Sequence, residues 1–380
     1  MNKNPLAQLP DYGQSFWYDN IQRSLLENGE MQKMITSDGL RGVTSNPSIF
    51  EKAIAQSEDY DASLLELKNQ DSGITSRKAF FSLAIEDIQA AADLLKPVYD
   101  STEGLDGYVS LEVSPDIAHD TQASIEEAQQ LFARLKRPNA MIKIPATKAG
   151  IPVIEQLVAD GINVNATLLF SVERYIEVAH AYIRGLKVRQ QRGLPLDRVA
   201  SVASFFVSRV DVILDKRLQD ASERADLAKD LMGQMGIANA KLAYKAYLEL
   251  IESNDFKSLV ADGARPQRLL WASTGVKNPE LSDVLYIDGL IGKDTVNTIP
   301  PATANAFKDH GTVAATLEQN LEHAETQIQE LKSLGIDLHQ AMDQLEVEGV
   351  AAFEKSFEVL LGAIDDKMKS LGNSTKSSAA

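Results

Sequence analysis

An α/β fold closed into a (β/α)8 barrel is what this sequence predicts, on three observations. Eight short runs rich in apolar and β-branched residues recur along its 380 residues, each followed by a longer stretch of helical periodicity. Several of these runs are apolar throughout rather than alternating, as strands covered by helices should be. The polar residues they do contain lie inside them or at their carboxyl ends, where barrels place their chemistry. An open doubly wound sheet would give a similar strand count, so the count by itself leaves both closures open.

In chain order the predicted strands are residues 15–19, 42–45, 108–113, 140–145, 162–167, 198–205, 268–273 and 286–291. Their spacing is uneven. The gaps 47–107 and 208–266 have room for additional helices, and 76–95 and 225–253 read as helical. From about 312 to 371, apolar residues at helical spacing and acidic exposed positions predict a helical C-terminal extension. It is too long for one barrel helix and should pack on the barrel as an appendage. The tail 372–380, GNSTKSSAA, is small and polar and reads as disordered. No stretch reads as a linker, so residues 1–371 are expected to form a single domain.

The net charge of −16 argues against a nucleic-acid or anionic-membrane surface, which would need clustered Lys and Arg. An acidic protein that binds phosphates must build a local basic pocket. With no cysteine, the chain has no disulfide, thiolate nucleophile or Cys-ligated metal. Residues 1–14 lack a basic-then-apolar signal pattern, and no apolar run approaches the ~18 residues of a membrane span, so the expected compartment is the cytoplasm. The motifs GxGxxG after a strand, GxxxxGK[ST] and HExxH are missing, which removes support for dinucleotide, nucleotide and zinc-hydrolase chemistry. Five scattered histidines suggest no metal cluster.

Side chains alternate across a strand, so Lys143 in Met141-Ile142-Lys143-Ile144-Pro145 shares a face with Met141 and Pro145. Asn163, Asn165 and Thr167 share another. Glu112 ends the run 108–112, Asp19 closes 16–19, Asn46 follows 43–45, and Ser204 follows Val202-Ala203. If these are barrel strands, the groups converge on one mouth. An amine buried there among apolar neighbours loses solvation, which favours its neutral, nucleophilic form. Asp19 and Glu112 would supply carboxylates for proton transfer. Singly, each residue has a plainer reading: a snorkelling Lys with a salt-bridged Glu, Asn and Asp as turn residues or helix caps, Phe205 and Phe206 as core, Arg209 in a surface ion pair. His119 and Asp120 read as helix-start or solvated groups. The convergence favours function.

Five segments, in order, resemble the signatures of the transaldolases: GVTSNPSIF at 42–50, VSLEV at 109–113, MIKIPAT at 141–147, INVNATLLFS at 162–171 and ASFFVSR at 203–209. The likeness runs from roughly residue 12 to 307, and the length together with WASTGVKNP at 271–279 looks like the longer bacterial branch. The resemblance implies that Lys143 forms a Schiff base with a ketose phosphate and that Asp19 deprotonates the C4 hydroxyl for retro-aldol cleavage. It implies that Glu112, through a water positioned by Thr167, handles protons during imine formation. Asn46, Asn165 and Ser204 would bind the hydroxyls of the dihydroxyacetone unit, Phe206 and Ser273 would line the substrate site, and Arg209 would clamp the phosphate. The implied donors are sedoheptulose 7-phosphate or fructose 6-phosphate, and the acceptors glyceraldehyde 3-phosphate or erythrose 4-phosphate, in the non-oxidative pentose phosphate pathway. Neither metal nor organic cofactor is implied, and the assembly would be a monomer or homodimer.

Related fructose 6-phosphate aldolases usually carry Gln and Tyr where this chain has Glu112 and Phe206, which favours transfer over release of dihydroxyacetone. One departure stands out. Much of the family has a second phosphate-binding Arg two residues after the serine matching Ser273, whereas here Thr274 and Gly275 follow and the nearest basic residue is Lys277. Lys277 is assigned to the phosphate, as a weaker, non-bidentate clamp. The competing readings are a product-releasing Schiff-base aldolase and a non-catalytic sugar-phosphate-binding barrel.

Overall fold

Eight parallel strands close on themselves in chain order: β1 (Gln14–Tyr18), β2 (Gly42–Val43), β3 (Tyr108–Glu112), β4 (Ala140–Pro145), β5 (Val164–Leu169), β6 (Ser201–Phe206), β7 (Arg268–Ala272) and β8 (Thr295–Ile299). The computed structural model describes residues 4–221 and 224–377, with side chains to Leu371; of the tail 372–380, the backbone of 372–377 continues the last helix and 378–380 lie outside the described residues. Each strand pairs in parallel with the next, and β8 pairs back onto β1 from Gln14↔Thr295 to Tyr18↔Ile299. Every strand is buried along its length, which accounts for the apolar runs.

Seven strands lie where the sequence placed them, within a few residues. The eighth does not. The run 286–291 is a short helix, Leu285–Asp288, and a loop, and the strand follows at Thr295–Ile299. The error is physical: Tyr286, Ile287, Leu290 and Ile291 are apolar because they pack in the sheath outside the barrel. The strand itself, TVNTI, turns Val296 and Thr298 into the barrel, while Thr295 and Asn297 on its other face are buried with side-chain partners, Gln14 and Thr274.

That interior is a packed core of its own. Trp17, Tyr108, Met141, Val202, Leu270 and Val296 fill it, apart from the larger cluster between strands and helices. Trp17 takes so much room that a Cβ at Gly42 would lie 2.4 Å from its ring, which is why β2 needs glycine there. Toward the amino ends of the strands, buried Asp106 accepts hydrogen bonds from Ser15 (2.7 Å), Trp17 (3.2 Å) and Arg268 (2.9 Å). This network plugs the end of the barrel opposite the carboxyl mouth.

The long gaps hold extra helices, Pro47–Ala55, Asp61–Gln70 and Ser76–Ser101 in the first, and Ser208–Gln219, Ala225–Leu231, Met235–Glu252 and Asn254–Val260 in the second. The extension beyond 312 forms two helices, Leu321–Ser333 and Leu338–Ser377. The first packs on Met235–Glu252. The second packs on Pro47–Ala55 and crosses the carboxyl mouth of the barrel. Among the described residues no helix is long and apolar enough to span a membrane.

Candidate active site

The carboxyl ends of the strands enclose a cavity of about 330 Å³, lined among others by Asp19, Asn46, Lys143, Thr167, Ser204, Phe206, Arg209, Ser273 and Lys277. Nine of the residues singled out in the sequence therefore meet on one wall-lined space. Strand register explains the convergence. Glu112 is the partner of Lys143, Lys143 of Asn165, and Pro145 of Thr167, so alternate inward positions on β3, β4 and β5 fall side by side.

Lys143 is buried. Its Nζ donates to the Ser45 carbonyl at 3.1 Å and stands 3.4 Å from Glu112 Oε2, the two side chains being 5% and 3% exposed. Among the described residues, neither oxygen of Glu112 nor the Thr167 hydroxyl has a hydrogen-bond partner. Three buried oxygens without a hydrogen bond at one place are unusual, because each such group costs about 1–3 kcal/mol. Burial pushes the Glu112 carboxyl up to about 7 against the opposing pull of Lys143. Burial likewise raises Asp19, although Lys143 and a 2.6 Å hydrogen bond from Thr44 oppose the shift. Thr44 also pairs with Thr298 at 2.6 Å, which fixes the hydroxyl toward Asp19.

Asn46 satisfies two readings at once. Its side-chain oxygen caps the helix Pro47–Ala55 by accepting from Ile49 N at 3.0 Å, and the residue also lines the cavity. Asn165 and Glu112 lie behind the wall rather than on it. Asn165 accepts from Ser204 Oγ at 2.7 Å and donates to Ser110 Oγ at 3.1 Å, so it reaches the cavity through Ser204. Asp120 is a helix cap, accepting from Ala123 N at 3.0 Å.

Arg209 has no ion pair or hydrogen bond among the described residues, contrary to a surface-pair reading. Its guanidinium lies half-buried over the Phe206 ring, 5.4 Å from the centroid, and Phe206 in turn packs on Phe170 at 5.2 Å. Ser273 Oγ lies 2.9 Å from Ser208 Oγ. Lys277 is exposed on the loop that closes this end. One end of the cavity is thus amine and carboxylate, the other cationic. Two non-glycine residues at the mouth hold left-handed backbone, Leu168 (φ 59°), where the β5–β6 register shifts, and Ser273 (φ 56°). Such conformations cost of order 1–3 kcal/mol and concentrate at functional sites.

Sequence reasoning missed Thr44, Thr298, the Ser45 carbonyl and Phe353. Strand alternation could have found the two threonines. Nothing local marks Phe353, whose ring centroid is 5.8 Å from Lys143 Nζ, because it arrives from the C-terminal helix.

Comparison with known proteins agrees with this geometry. The family model described as transaldolase/fructose-6-phosphate aldolase matches residues 16–364. The chain is 47% identical to the transaldolase 2 of Nostoc punctiforme, over 98% of this chain and 99% of the relative. It is 45% identical to the transaldolase of Trichodesmium erythraeum, over 98% and 99%, and 45% identical to that of Thermobifida fusca, over 96% and 98%. With a match over nearly its whole length, the chain belongs to the transaldolase/fructose-6-phosphate aldolase family.

Proposed function

We propose that this enzyme is a transaldolase that moves a dihydroxyacetone unit from a ketose phosphate to an aldose phosphate through a Schiff base on Lys143. The observation that carries the reading is the buried Lys143 amine set 3.4 Å from a carboxylate, in the same cavity as Asp19 and Arg209, an arginine unpaired among the described residues. The donors are sedoheptulose 7-phosphate or fructose 6-phosphate; the acceptors are glyceraldehyde 3-phosphate or erythrose 4-phosphate. The work is that of the non-oxidative pentose phosphate pathway, in the cytoplasm, by a monomer or homodimer.

The Lys143 amine adds to the C2 carbonyl, and water leaves to give an iminium. A water held between Glu112 and Thr167 would satisfy their three unpaired oxygens and carry the protons of this step. A carboxyl with a pKa of about 7 can both give and take a proton near neutrality. Asp19 takes the C4 hydroxyl proton, the C3–C4 bond breaks, and the aldose phosphate departs with its new carbonyl. Asp19 is the better base for being raised by burial. The electron pair stays as an enamine, which attacks the acceptor aldehyde to reform a carbon–carbon bond. Asn46, Ser204 and, through it, Asn165 hold the hydroxyls of the three-carbon unit; Arg209, Ser273 and Lys277 hold the phosphate, with Phe206 supporting Arg209. All steps are carried by side chains, and none calls for a metal or organic cofactor.

The test is reduction with borohydride in the presence of fructose 6-phosphate, followed by peptide mass spectrometry. A dihydroxyacetone-sized adduct on Lys143 supports the reading, and its absence from folded, substrate-bound protein overturns it.

A further inference from the structure

The C-terminal helix, Leu338–Ser377, touches the mouth at both ends of the cavity. A Cβ on Gly349 would lie 3.1 Å from Leu168 Cδ2 and 3.6 Å from Arg209 Nη1, so the helix backbone sits against the cationic end. One turn later Phe353 reaches the amine end, and among the described residues it is the one side chain of this helix that lines the cavity. Further anchors hold the helix on the rim: Glu346 pairs with Arg174 at 3.3 Å, Ser356 Oγ lies 2.7 Å from Ser48 Oγ, and Phe357 packs edge-on against Phe80 at 5.5 Å. Positions 346, 349, 353, 356 and 357 share one helical face, so Phe353 is directed inward by the same stripe that docks the helix.

A phenyl ring offers a sugar no hydrogen bond. What it does in a polar cavity is exclude water and favour a cation near its face. The first bears on the neutral enamine, the second on the cationic iminium that precedes it. Release of dihydroxyacetone adds one water: a proton is delivered to C3, water oxygen attacks C2 of the resulting iminium, and the C–N bond breaks to return the Lys143 amine. Transfer requires that this sequence be slower than arrival of the acceptor aldehyde. We infer that Phe353, carried over the Lys143 amine by the C-terminal helix, is a specificity-determining residue that favours transfer by keeping water from the enamine. The inference rests on the Schiff-base reading above.

The experiment compares dihydroxyacetone release from fructose 6-phosphate without acceptor with transfer to erythrose 4-phosphate, in wild type, Phe353→Ala, Phe353→Leu and Gly349→Val. The valine would wedge against Leu168 and lift the helix without altering Phe353. The release-to-transfer ratio is expected to rise about tenfold in Phe353→Ala and severalfold in the other two, with the borohydride adduct on Lys143 retained. A ratio within twofold of wild type in folded, adduct-forming Phe353→Ala overturns the inference. If that variant does not fold, an unchanged ratio in both Phe353→Leu and Gly349→Val overturns it. Failure of wild type to form the adduct would instead overturn the Schiff-base reading, and this inference with it.

Discussion

The Lys143 amine and the Glu112 carboxylate stand 3.4 Å apart as register partners on adjacent parallel strands, both buried at the barrel mouth. Removing either leaves the other as an uncompensated group in a low-dielectric site, which costs more than an exposed pair would.

Lys143→Ala is expected to abolish transfer, with kcat reduced by more than about 10³-fold, while the far-ultraviolet circular dichroism of the barrel persists. Transfer retained at a tenth of wild type would sink the covalent mechanism.

Glu112 gives a pH signature. Its folded-state pKa, about 7, lies above its ordinary value of 4.5, so the native state holds a proton that the unfolded chain has lost between those values. The stability this proton confers is fully present below about pH 4.5 and is lost as pH rises through about 7. Glu112→Gln should flatten that stretch of the stability–pH curve, measured by urea unfolding. It should also remove a break near neutrality in the rate of adduct formation.

Asn46 separates capping from binding. Asn46→Asp keeps an oxygen for Ile49 N and should cost little stability, yet it removes the amide donor of a residue that lines the cavity. Asn46→Ala should lose about 1 kcal/mol as well. Both should impair turnover; equal activity of Asn46→Asp and wild type would remove the residue from the binding site.

At the cationic end, Arg209→Ala is expected to raise KM for fructose 6-phosphate by roughly 10–100-fold, because Arg209 is half-buried and unpaired among the described residues. Arg209→Lys should recover only part of this. Lys277→Ala, at an exposed position, should raise KM less than about fivefold. The reverse ranking would reassign the phosphate clamp.

Gly42→Ala should destabilise the barrel by about 1–3 kcal/mol or prevent folding, since the added Cβ would meet the Trp17 ring at 2.4 Å. Thermal unfolding of Gly42→Ala against wild type checks this, and an unchanged midpoint would show that the interior layer can yield.

Taken alone, the sequence determined the strand–helix alternation, seven of the eight strands and most of the polar residues at the mouth. These are local facts: an apolar run and a side-chain alternation are written in consecutive residues. It misplaced β8 because apolar character marks burial and not strand, and Tyr286 to Ile291 are buried outside the barrel. Tertiary structure alone decided the rest. Closure of β8 on β1 brought Thr298 to the Thr44 hydroxyl that donates to Asp19. Burial, which no residue encodes by itself, moved Glu112 to about 7. The C-terminal helix brought Phe353 over Lys143, a contact between residues far apart in the chain that no local pattern can announce.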